Sequence, residues 1–363
     1  TRDTVKLEDR AAQSTVIDTV RNGKPYKVGV INVPAFYLDF QCSQQDEENC
    51  RSTTKDVAAL IKNLEKQHID GLVIDLRNNG GGALQEANSL IGLFIERGPT
   101  VQIRSSGGKI DTMLDTDPQI AYKGPLAVVV NRLSASASEI FAGAIQDYRR
   151  GLIVGERTFG KGTVQSMQQL DRGQLKITLA KFYRISGETN QHKGIIPDIT
   201  FPSLLDHEEL GESALPNALP ADTIRPASYE KDRSLEAVIP LLRENAEQRI
   251  HTNPDFEYLN EQVKMLDEAR ANTQISLNEK TRMNEQTQLD KRRLEMENKR
   301  RQAKHEAPYK DVAELKAATA KEDENSQSEY GPIKVDYVLT EVGNIVSDYI
   351  SSTPQLNSRV ASH

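Results

Sequence analysis

Between Lys27 and Ile199 the chain alternates short apolar runs with stretches in which apolar residues recur every three to four positions. Short runs suit strands buried on both faces, and the longer periodic stretches suit helices laid against them. The run KVGVINVPAFY reads as a strand. TTKDVAALIKNLEKQ follows as a helix, with Val57, Leu60, Ile61 and Leu64 on one face and Thr53 or Thr54 placed to cap its start. GLVIDLRNNGGGALQEANSLIGLFIERG then gives strand, glycine-rich turn and helix, and GPLAVVVNRLSASASEIFAGAIQDY repeats that order. GLIVGERTFGKGTVQSMQQL supplies another strand and a loop, and the alternation in QLKITLAKFYRISG suggests a half-buried strand. Strands joined by crossover helices make this part α/β.

After about Phe201 the pattern changes. PSLLDHEELGESALPNALPADTIRPASY is rich in proline and acidic residues, which marks a boundary. SLEAVIPLLRENAEQRI and FEYLNEQVKMLDEA keep a narrow apolar stripe, whereas EKTRMNEQTQLDKRRLEMENKRRQAKHE is nearly all polar and reads as a solvated helix or as disorder. Its basic cluster, Lys291 to Arg293, is interrupted by glutamates, as helix surfaces commonly are. VDYVLTEVGNIVSDYI is expected to dock back onto the body as a last apolar helix.

Charge and composition remove several classes of partner. The chain has 363 residues and a formal net charge of −7, so no overall positive field favours nucleic acid or an anionic membrane. Peripheral membrane association is not indicated. There is no apolar run long enough to span a bilayer, and TRDTVKLEDR lacks the apolar core of a signal peptide. The missing initiator Met fits a mature or excised fragment. Cys42 and Cys50, in QCSQQDEENC, are either two surface thiols or a short bridge worth roughly 2 to 3 kcal/mol in an oxidising compartment.

Three turns carry candidate chemistry. In SASASE, Ser136 and Glu139 match the capping-box spacing, and a cap needs only one of the three hydroxyls present. A serine at a strand-to-helix turn also suits a nucleophile, because nearby amides and the helix dipole can stabilise an oxyanion. A nucleophile needs a base, and neither His68 nor His192 lies in a recognisable motif. Lys161, between Gly160 and Gly162, is the better candidate, provided burial lowers its pKa by roughly 3 units. A phosphate-binding P-loop fails because Gly162 stands where a magnesium-ligating Ser or Thr is required. The third turn, LRNNGGG, either connects tightly to its helix or presents an amide of Gly81 or Gly82 to a ligand.

DLRNNGGG, SASASEIFAGAIQDY, GERTFGKGTVQ and KGIIPDI, in that order and spacing, resemble the C-terminal processing peptidases, in particular their long tail-specific branch. The resemblance covers residues 27–202 closely and the charged helices more loosely. It implies a crotonase-like spiral β/α catalytic core followed by a mainly α-helical C-terminal region. It further implies Ser136 as nucleophile, Lys161 as base and Gln165 as the residue orienting the lysine amine. Ser134 and Ser138 become supporting residues, and Ala137 with Gly82 would supply the oxyanion hole. Asp147 is expected to be structural, paired with a basic residue. Fully extended, Lys161 and Gln165 would lie about 13 Å apart between Cα atoms, so the segment is expected to turn. Members normally carry a PDZ-like module before the core, and residues 1–25 look like its exit strand and linker. The core would then be 26–205 and the helical domain 206–363.

The reading is therefore a serine endopeptidase of the periplasm that degrades or C-terminally processes unfolded or tail-tagged polypeptides through an acyl-enzyme. No metal or organic cofactor is implied. Polypeptides with accessible C-terminal tails are the expected partners, with a periplasmic adaptor as a further one. The alternatives are a catalytically silent peptide-binding scaffold and a crotonase-like acyl-CoA enzyme.

Overall fold

The computed structural model describes residues 11–39, 50–206, 208–326 and 333–360, with backbone alone for 322–326 and 353–360. The chain opens with a hairpin of β1 (Gln13–Arg21) and β2 (Lys24–Asn32), paired in antiparallel register and closed by Asn22-Gly23. That dipeptide adopts the left-handed conformations whose twist matches a two-residue hairpin. From β2 onward a parallel sheet grows by one strand at a time: β3 (Gly71–Asp75), β6 (Leu126–Val130), β7 (Leu152–Gly155) and β10 (Ile199–Thr200) follow in that spatial order. Helices α1 (Thr53–Glu65), α2 (Leu84–Gly92) and α3 (Ala137–Tyr148) lie in the connections. Every step moves the chain along the same edge, which is the progression a spiral β/α core requires.

The apolar runs explain this order. Every residue of β3, β6 and β7 is buried, as expected of parallel strands covered on both faces. Phe36, Phe94 and Phe141 meet in the core, with ring centroids 6.5 and 5.8 Å apart along the chain of contacts. Capping of α1 falls to Ser52, whose hydroxyl accepts from the Lys55 amide, and not to Thr53 or Thr54. Thr53 instead turns its hydroxyl onto the Tyr37 carbonyl at 3.1 Å, which ties the helix start to the loop after β2.

A second sheet, in the order β5-β4-β9-β8, is antiparallel throughout: β4 (Gly98–Ser105), β5 (Ile110–Asp115), β8 (Thr163–Gln169) and β9 (Gln174–Tyr183). Here the expectation of a half-buried strand over QLKITLAKFYRISG holds only at its C-terminal end. Residues 174–179 are exposed on both faces because β8 and β9 run past the core as a two-stranded hairpin.

The helices are α4 (Arg233–Thr252), α5 (Pro254–Ala271), α6 (Glu279–Ala303), α7 (Val312–Ser326) and α8 (Tyr337–Val360). The chain divides into two compact units, one holding residues up to 201, 205–244 and those from 333 on, the other 202–204 and 245–332. Residue 25 falls inside the β1–β2 hairpin, which belongs to the core sheet, and α8 returns to the core as the sequence suggested. Leu339, Val342, Ile345 and Val346 of α8 are buried, the Thr19 and Ser347 hydroxyls meet at 2.5 Å, and Arg77 reaches Asp336 at 2.7 Å.

In the second unit Phe256, Leu259 and Met265 are buried along α5. The polar stretch is a solvated helix, α6, and its surface is held by ion pairs such as Arg292 with Glu268 and Lys299 with Glu257. That pairing accounts for the basic cluster as an ordinary helix face.

Truncating Ile345, fully buried in α8, to Ala is expected to lower unfolding stability by about 3 kcal/mol, read from urea denaturation followed by circular dichroism. A loss below about 1 kcal/mol would show that α8 is not part of the core.

Candidate active site

The parallel strands all deliver their C-terminal ends to one edge of the sheet, the usual place for a site in such folds. Four loops meet there. The segment after β2 crosses the glycine turn after β3, with Phe36 donating to Gly81 O and Ala83 donating to Phe36 O. Beside it lie the serine turn after β6 and the loop 158–162 after β7.

The surplus serines of the sequence now have separate tasks. Ser134 and Ser138 are fully buried. The Ser134 hydroxyl donates to Leu76 O and that of Ser138 to Asn79 O, both at 2.8 Å, so they staple the serine turn to the strand that carries the glycines. Asn79 completes the joint by accepting from Gly81 N at 2.8 Å and donating to Val33 O at 2.7 Å. Ser136 alone is partly exposed. It sits at φ 58° and ψ −112°, outside the region open to an ordinary residue, at a cost of about 1–3 kcal/mol. A sharp strand-to-helix turn of this kind lifts a hydroxyl away from the backbone toward solvent.

What holds Ser136 there is Glu139, three residues into the same turn. Its side chain is fully buried and accepts four hydrogen bonds: from Ser136 N (2.9 Å), Thr158 Oγ1 (2.6 Å), Gly160 N (2.7 Å) and Lys161 N (2.9 Å). The capping box expected from the sequence is present, but the glutamate does more than cap. It joins the serine turn to the backbone of the loop bearing Lys161. Burial pushes its carboxyl up to about 7 against the opposing pull of these donors.

Lys161 is half-buried, and its pKa is lowered first by that burial and then by the neighbouring charge of Lys176, against the pull of Glu212 and Glu139. This is the direction a lysine base needs. The loop continues into strand β8 and not into a helix, which removes the P-loop geometry altogether.

The glycine turn closes against the serine. At Gly81 (φ 102°) a Cβ would stand 2.8 Å from Ser136 Cβ and 3.0 Å from Ala137 N, and at Gly82 (φ 149°) it would collide with the Phe36 carbonyl. Only glycine fits either place. Gly81 N is committed to Asn79, whereas the amides of Gly82 and Ala137 donate to no acceptor among the described residues.

Ser136, Ala137, Lys161, Gln165 and Gly82 all line one cleft of about 780 Å³. Within it no hydrogen bond joins the Ser136 hydroxyl to the Lys161 amine, or Gln165 to Lys161, among the described residues. Gln165 lines the cleft from β8, which begins at Thr163, and the register with β9 shifts beside it, leaving Leu179 of β9 as the unpaired residue. Asp147 pairs with Arg184 at 2.5 and 3.1 Å, remote from this chemistry, as expected. Cys50 is buried, and Cys42, its expected partner, lies outside the described residues. Sequence reasoning missed the wall formed by Phe36, Tyr37 and Leu38, and it read Glu139 only as a cap.

Replacing Glu139 by Gln keeps the shape but turns one acceptor into a donor facing an amide. Any reaction at Ser136 is expected to slow by about 10- to 100-fold, measured as the rate of modification by a serine-directed phosphonate. An unchanged rate would show that the four bonds do not position the turn.

Residues 27–201 match the model of peptidase family S41, and residues 205–351 match the C-terminal domain of tail specific protease. The chain is 41% identical over 326 residues to the tail-specific protease of Haemophilus influenzae, an alignment covering 86% of this chain and 44% of that one. It is 40% identical over 149 residues to the chloroplastic C-terminal processing peptidase of Tetradesmus obliquus, covering 41% of this chain and 32% of that one. Among solved structures, the photosystem II D1 C-terminal processing protease aligns with a TM-score of 0.46 and 32% identity, covering 57% of this chain and 50% of the other. The chain thus spans less than half the length of these two curated relatives. Through residues 27–201 the chain belongs to peptidase family S41, and residues 205–351, which match the C-terminal domain of tail specific protease, put it in the tail-specific branch.

Proposed function

We propose that the protein is a serine endopeptidase working through a Ser136–Lys161 dyad. The observation that carries the reading is a strained, outward-facing serine sharing a cleft with a half-buried lysine whose pKa is lowered. The neutral Lys161 amine takes the Ser136 proton as Oγ attacks the scissile carbonyl. The amides of Gly82 and Ala137, both without acceptors, receive the oxyanion. The ammonium of Lys161 then protonates the leaving amine, and water hydrolyses the acyl-enzyme with the same base. Gln165, which lines the same cleft from β8, orients the lysine amine once substrate closes the gap between the two groups.

The substrates in this reading are polypeptides with unfolded or accessible C-terminal tails, lying extended along the cleft beside the edge strand β8. The compartment is the periplasm, where the Cys42–Cys50 bridge would form, and an adaptor there is a further partner. Among the described residues no helix is long and apolar enough to cross a membrane. A silent scaffold or an acyl-CoA enzyme would have no use for a strained serine next to a lysine of lowered pKa.

An unstructured polypeptide incubated with the protein should be fragmented, and Ser136→Ala or Lys161→Ala should each slow this by at least about 10³-fold. The rate should rise with pH along a limb whose midpoint lies below the ordinary lysine value of 10.5, because only the neutral amine is a base. Undiminished fragmentation by either variant, read on denaturing gels over time, would rule the dyad out.

A further inference from the structure

The chain is acidic overall, yet not one Asp or Glu lines the cleft among the described residues. Among the described residues its ammonium groups are those of Lys161 and Lys176. Lys176 lies on β9 directly opposite Met167 of β8, and the alternation of the strands puts it on the same face as Met167 and Gln165, all three lining the cleft. Leu175 and Ile177 fall on the other face.

Three charged groups bear on Lys161. Glu139, from α3, has its acceptors filled by four donors, and Glu212, from the short turn Glu212–Ala214, accepts from Gln191 at 3.0 Å. Lys176, from β9, is exposed and makes no hydrogen bond or ion pair among the described residues. In the peptidase reading, a lysine that acts when neutral therefore shares its cleft with a second lysine that has no carboxylate partner among the described residues. A cation placed so draws anionic groups to itself.

We infer that Lys176 reads a carboxylate of the bound polypeptide, either an Asp or Glu side chain or the free C-terminus, and so helps to choose where the chain is cut. The inference rests on the peptidase reading above and adds a specificity residue to it. Lys176 does no chemistry, and its partner is the anionic group, whichever of the two sources provides it.

The test uses three peptides of one sequence: a neutral peptide with an amidated C-terminus, the same peptide with a free carboxylate, and the amidated peptide with Glu close to the cleaved bond. The unmodified protein is expected to cleave at least one carboxylate peptide about fivefold better in kcat/KM than the neutral one, mainly through KM, which is the upper range for one exposed ion pair. The peptide that gains identifies the source. The advantage should vanish in Lys176→Gln and survive in Lys176→Arg. An advantage that persists in Lys176→Gln, or is absent from the unmodified protein, overturns the inference.

A second readout separates this role from a merely structural one. Removing a like charge lets Lys161 hold its proton to higher pH, so the acid limb for the neutral peptide should move upward in Lys176→Gln and stay in place in Lys176→Arg. A limb that does not move places Lys176 too far from the chemistry and contradicts the inference. Ser136→Ala serves as the control: should it cleave all three peptides, the peptidase reading fails whatever Lys176 does.

Discussion

A carboxylate shut away from water is unstable unless every lone pair finds a donor, and the site is built around one such group. Glu139 has four donors, and they come from two elements far apart in sequence, the serine turn and the loop 158–161. Because a buried acceptor tolerates little loss, these donors cannot drift separately. The positive-φ backbone of Ser136 persists for the same reason, since its amide is one of the four. The distance between the serine turn and the lysine loop is thus set by one buried side chain.

The parallel sheet supplies the frame for that clamp. Each crossover returns the chain to the same edge, so the loops after β2, β3, β6 and β7 are neighbours although they are spread over more than a hundred residues. Asn79 plays for the glycine turn the part that Glu139 plays for the lysine loop, bonding the backbone on both sides. The glycines then matter for what they lack. A methyl group at Gly81 would push on Ser136 itself.

Much of this was legible in the sequence. The apolar runs are continuous in buried strands and periodic in helices, so Val57, Ile61 and Leu64 of α1, the strands β3, β6 and β7, and the return of α8 could be placed by pattern alone. The serine turn, Lys161 and the glycine turn stood out because surplus hydroxyls, glycines and a GK dipeptide are expensive choices for plain turns, and the family resemblance then singled out Ser136 and Gly82. Other features were hidden by what pattern cannot weigh. Glu139 satisfied a local capping rule, and nothing local says that its second oxygen reaches across the sheet. Asn22-Gly23 closes the β1–β2 hairpin, a turn that the reading of residues 1–25 as an exit strand and linker passed over. The alternation in β9 promised a buried face, and only tertiary packing decides that the hairpin leaves the core before using it.

The central claim is that Ser136 is reactive because Lys161 is uncharged and held beside it. Its most direct measurement is the rate at which a serine-directed fluorophosphonate labels Ser136 across pH, followed by mass spectrometry, in the unmodified protein and in Lys161→Met, which keeps the apolar stem and removes the amine. The account predicts labelling that follows a single deprotonation below the ordinary lysine range and falls to background at every pH in Lys161→Met. Equal labelling of the two proteins, with the same pH dependence, would contradict it.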